Sequence, residues 1–185
     1  NVAATTRTGA GNPYRVGTDD FDVEFITPGR LIAARDNPPA GLAGQLDPLG
    51  DFSNWTEYVD ATPSVLLIRV TPKFSEGFWT KVGRGVAMTQ GVSIPSIKRP
   101  KGDFGRMLAF CGETEIVPVH PFKLEHKLSD KDTLVEGLYA FDRGALSPAC
   151  AGVVLHVFSA DAPRKPELLR VDPKVILRIS QDFAR

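Results

Sequence analysis

FKLEHKLSDKDTLVEGLYAF, residues 122–141, decides the fold class. Phe122, Leu124, His126 and Leu128 fall on one face of an extended chain and Lys123, Glu125 and Lys127 on the other. Ser129-Asp130-Lys131-Asp132 is made of residues whose side chains bond nearby backbone, which favours a turn. Thr133–Phe141 then resumes with β-branched and aromatic residues. A connection this short joins antiparallel strands, because a parallel pair needs a helix-sized crossover.

Working outward, TEIVPVH (114–120) precedes this hairpin and GVVLHVF (152–158) follows it. Pro121 is read as the break on one side, and a link containing Arg143-Gly144 and Ser147-Pro148 as the break on the other. VLLIRV (65–70) is apolar on both parities except at Arg69, as in a central strand covered on both faces. Phe21, Val23 and Phe25 alternate before Pro28-Gly29, and the long stretch after them, with Asn37-Pro38-Pro39 and Asp47-Pro48, reads as loop.

Two helices are expected. Asp172 and Pro173 make an N-cap and first-turn pair, and Val175, Ile176, Ile179 and Phe183 form one apolar stripe behind them. Thr71-Pro72 repeats the device, with Phe74, Phe78, Val82 and Val86 or Met88 at near-helical spacing, so a second helix is expected around residues 72–90. Gly83 and Gly85 each cost that helix about 1 kcal/mol relative to alanine. The predicted architecture is α+β or mainly β: an antiparallel sheet or β-sandwich of short strands with a C-terminal amphipathic helix. A polar arm over residues 1–20 leads into a single domain over 21–185.

Composition narrows the function classes. The 185 residues carry 22 Lys+Arg against 22 Asp+Glu, so the basic excess of a dedicated nucleic-acid binder is missing. No apolar run approaches the roughly 18 residues of a membrane-spanning helix. The chain starts NVAATTRTG, read as a processed or trimmed start, and its two cysteines, Cys111 and Cys150, read as one disulfide. Together these predict an extracytoplasmic, periplasmic or secreted protein. No CxxC, GxSxG elbow, phosphate loop or EF-hand spacing is present.

The candidate chemistry rests on three histidines. His126 sits in an apolar row and reads as a packed ring bonded to a backbone or carboxylate partner; His156, between Val154 and Phe158, reads the same way. His120 precedes Pro121 at an expected bend and is the histidine most open to a functional role. Were the rings to converge with Glu113, Glu115 or Glu136, they would form a zinc or copper ligand set, although no HxH or HExxH spacing supports one. Glu113 and Glu115, with Glu136 across a hairpin, are the candidate carboxylates of a carbohydrate-cleaving site.

Lys98, Arg99, Lys101 and Arg106 form a basic connection suited to an acidic partner or anionic envelope lipid. Trp55, Tyr58 and Trp79 read as a binding platform or as anchors, and NWT at 54–56 fits a glycosylation sequon. The leading expectation is a non-enzymatic binding or structural domain with no cofactor, acting on an envelope or extracellular protein, a glycan or a lipid. A metal-binding protein or metal-dependent hydrolase is the alternative, and a carbohydrate-binding or cleaving domain the third.

Overall fold

The computed structural model describes residues 12–30, 65–74, 101–127, 133–150 and 152–184. Among them nine strands form two antiparallel sheets, followed by a C-terminal helix, so the fold is mixed α+β. The first sheet runs β1-β2-β3-β7-β6, built from β1 (Arg15–Gly17), β2 (Phe21–Ile26), β3 (Val65–Pro72), β7 (Thr133–Asp142) and β6 (His120–Lys127). The second runs β5-β4-β8-β9, from β5 (Thr114–Ile116), β4 (Phe104–Cys111), β8 (Val153–Ser159) and β9 (Glu167–Arg170).

One core cluster draws on both sheets and the helix. Phe21, Val23 and Phe25 of β2, Leu66, Ile68 and Val70 of β3, and Tyr139 and Phe141 of β7 meet Phe104, Met107 and Ala109 of β4 and Val153, Leu155 and Val157 of β8. Period-two alternation selects these residues in β2, β3, β7 and β8, while in β4 a register shift between Phe104 and Arg106 brings Phe104 to the same face as Met107 and Ala109. The ring of Phe104 lies against the backbone of Gly137, where a Cβ would overlap Cε1 and Cζ of that ring. Tyr139 ties the sheets directly, its hydroxyl oxygen accepting the Met107 N–H at 2.9 Å. Burial raises the Tyr139 pKa, opposed by that hydrogen bond and by the charge of Arg106.

The helix α1 (Pro173–Phe183) starts as its sequence dictates: the Asp172 carboxylate accepts the Lys174 N–H at 2.8 Å, and Pro173 occupies the first turn. Its stripe of Val175, Ile176 and Ile179 enters the core. Tyr14 and Thr27 donate to Asp182 at 2.5 and 2.9 Å, fastening the last turn to the first sheet. Cys111, ending β4, is bridged to Cys150 ahead of β8, with Cα atoms 5.6 Å apart.

Several expectations are corrected. Thr71 and Pro72 do not start a helix; they end β3, paired with Asp22 and Phe21. Proline is tolerated there because its fixed φ suits an extended strand end, whereas residues 75–90 lie outside the described residues. Pro121 does not interrupt the ladder either. It lies inside β6 opposite Tyr139, and the break falls at residues 117–119. Within the expected arm, Arg15–Gly17 pair with β2 and Val16 is buried in the core. The hairpin of β6 and β7 forms as predicted, but β7 pairs next with the distant β3, and β8 belongs to the other sheet.

Candidate functional site

The first sheet buries its second face as well, around Ile26, Leu67, Leu138 and Ala140. Beside this patch the alternation that carries those residues also carries Arg69 on β3 and Glu136 on β7, which are 8% and 0% exposed. Glu136 Oε1 accepts from Arg69 Nη2 at 2.8 Å and Nε at 3.2 Å, and from the Thr71 hydroxyl at 2.7 Å. Its Oε2 lies 2.9 Å from His126 Nε2. Further along the face, Glu24 accepts from Arg30 at 2.6 Å and from Asn12 at 2.9 Å.

This geometry is a clamp. Most of the accepting capacity of Glu136 is taken by three neighbours, and the carboxylate is out of reach of a bound molecule. The clamp links β3, β7 and β6, so it fixes where the outermost strand sits. Breaking such a pair is costly, because an uncompensated charge would remain buried.

Beyond the clamp lies the open edge. Among the described residues four strands border the two sheets: β1 and β5 have three residues each, β9 has four, and β6 has eight. Very short edges are a common protection against unwanted pairing, and β6 lacks it. Six of its eight residues are exposed and the other two are part-exposed. Val117, Val119 and Phe122, among the most exposed large apolar side chains at 74%, 52% and 48%, lie on or next to this strand.

The three histidines do not converge. His126 is on β6, part-exposed rather than packed in the core, because the strand is an edge. His120 opens the same strand, exposed, with its ring centroid 5.8 Å from that of Phe122. His156 is on β8 in the other sheet, tilted over Phe110 at 4.6 Å, and burial lowers its pKa. Among the described residues no group of three or more His, Cys, Asp or Glu stands together to hold a metal. Glu113 and Glu115 are exposed on the β4–β5 hairpin, whereas Glu136 is buried in the first sheet, so the expected carboxylate pairing is not formed.

Lys101 reaches the Asp19 carbonyl at 3.3 Å, and Arg106 stacks 4.4 Å over the Phe158 ring. Lys98, Arg99, Trp55, Tyr58, Trp79 and the sequon lie outside the described residues. A groove of about 220 Å³ beside the disulfide is lined by Pro148, Val153, Val171, Ile176 and Leu177, and no carboxylate lines it. Sequence reasoning missed the Arg69–Glu136 pair and the edge position of β6. The signals were a single charge inside each of two apolar runs, Arg69 in 65–70 and Glu136 in 134–141, and a proline inside a strand, which belongs on an edge.

No family model matches the chain, and no curated protein matches it. A solved structure described as a novel protein of unknown function from Burkholderia pseudomallei K96243 is similar over 92% of this chain and 83% of its own, at 12% identity and a TM-score of 0.40. A likeness at that level carries no information about activity.

Proposed function

We propose that this is a non-enzymatic binding domain that takes an extended segment of a protein partner onto the free edge of β6, in an extracytoplasmic compartment. The observation that carries the reading is the exposure along β6, the longest of the four edge strands among the described residues, with Phe122, Val119 and Val117 on or next to it. Strand addition draws its affinity from main-chain hydrogen bonds and its selectivity from alternate side chains. The clamp of Arg69, Glu136 and His126 supports it by holding the receiving strand in register before a partner arrives. The Cys111–Cys150 disulfide fits an oxidising compartment.

The test is selection of displayed random peptides, followed by amide hydrogen exchange of the complex. Binding peptides should slow exchange within residues 120–127, and Glu125→Pro, which removes one N–H from the edge strand, should abolish binding while far-UV circular dichroism stays unchanged. Peptides that protect other segments, or that bind the proline variant equally, would refute the reading.

A further inference from the structure

Resting on this reading of β6, we infer that the strand taken up is β6 of a second copy of the same chain, joined antiparallel about a two-fold axis at Leu124. The argument is charge complementarity along an open edge. Lys123 and Glu125 are both exposed, flank Leu124 on the opposite face of the strand from it, and neither has an ion pair among the described residues.

The pleat allows only registers in which paired residues share a face. Centred on Leu124, Lys123 stands opposite Glu125 of the second copy, and the pair occurs twice by symmetry. The same register sets Phe122 against His126 on the other face and Leu124 against itself. It overlaps seven of the eight residues of β6, from Pro121 to Lys127. Pro121 lies at the end of the overlap, where its missing N–H removes at most one ladder bond per copy.

The neighbouring registers fail on charge or length. Centring on Lys123 sets that lysine against itself; centring on Glu125 sets glutamate against glutamate and Lys123 against Lys127. Centring on Phe122 sets Lys123 against proline and pairs no charges. Centring on His126 matches Glu125 with Lys127 but overlaps only three residues of the strand. A parallel in-register pairing sets every charge against its like. Lysines and proline on an edge bar indiscriminate addition, and the Lys-Leu-Glu order admits this one self-pairing.

The experiment is sedimentation equilibrium of the full chain over micromolar to millimolar concentration. Four proteins are compared: the parent, Lys123→Glu, Glu125→Lys, and the double exchange Lys123→Glu/Glu125→Lys. The parent should dimerise, and each single exchange should weaken the dimer at least about 10-fold, because two attractive pairs become repulsive. The double exchange should restore it, as should an equimolar mixture of the two single variants, in which every 123–125 pair is again opposite in sign. Because the pairs are exposed, added salt should weaken the parent dimer. A parent that stays monomeric throughout overturns self-pairing and leaves capture of a different strand to the peptide experiment. A dimer indifferent to the exchanges also overturns it, because the copies would then meet elsewhere.

Discussion

Glu136→Leu tests the clamp under the candidate site. The substitution removes the carboxylate while nearly preserving shape, and leaves the Arg69 side chain charged with 9% of its surface exposed. Losing one partner of a buried ion pair costs about 3–5 kcal/mol. The Thr71 hydroxyl, deprived of its acceptor at 2.7 Å, adds up to about 1 kcal/mol, and burial of the leucine returns about 1–2 kcal/mol. The net loss is about 3 kcal/mol, less than the roughly 5–15 kcal/mol stability of a domain, so the variant should still fold.

With a urea m-value of about 2 kcal/mol/M, the denaturation midpoint should fall by roughly 1.5 M. The sharper measurement is the same substitution in an Arg69→Met background. With the cation gone, Glu136→Leu should cost at least about 2 kcal/mol less, and that difference is the coupling between the two residues. Arg69 has other contacts, and the cycle cancels them because the guanidinium is present at both ends of the parent leg and absent at both ends of the Arg69→Met leg. A cost below about 1 kcal/mol in the parent, or an equal cost in both backgrounds, would show that this carboxylate does not pair the guanidinium.

Gly137→Ala should destabilise by about 1–3 kcal/mol through overpacking, since its Cβ overlaps the Phe104 ring, and Phe104→Leu in the same chain should relieve part of the loss in chemical denaturation. Reduction of Cys111–Cys150 should add two hydrogens to the intact mass and lower stability by about 2–4 kcal/mol; full alkylation without reductant would refute the bridge. Asp172→Ala should cost about 1 kcal/mol at the start of α1, read as a lower thermal midpoint, with Asp172→Asn close to the parent. His156, whose folded pKa lies below its ordinary value of about 6.5, binds more protons unfolded than folded. Its contribution should therefore weaken as pH falls from about 7.5 to about 5, and His156→Gln should lose less urea resistance than the parent over that window.

Local order was legible wherever a short sequence carries its own physical cause. Asp172-Pro173 ahead of a 3.6-residue apolar stripe specifies α1 without help from the rest of the chain, because cap, first turn and buried face are all local. The alternation around Ser129–Asp132 likewise placed β6 beside β7. Thr71-Pro72 misled for the complementary reason. A Thr-Pro pair suits a helix start or a strand end equally, and pairing with Phe21 and Asp22, about 50 residues away, decided between them.

What the sequence determined by itself was the runs that became β2, β3, β5, β6, β7 and β8, the C-terminal helix and the two cysteines able to bridge, since period and capping act within a few residues; β1 lay in the expected arm, β4 in a stretch read as a basic connection, and β9 was not read. Tertiary structure decided which strand stands at an edge, a position that Pro121 is compatible with but does not specify. The alternation of Phe122, Leu124 and His126 is the same whether β6 is central or outermost, and only the pairing of β7 with β3 on its far side leaves β6 at the border. The histidine thereby moves from an expected core position to a part-exposed one, held by a carboxylate from the neighbouring strand. Pairing among distant strands is set by the total burial of a whole sheet, which no short window of sequence contains.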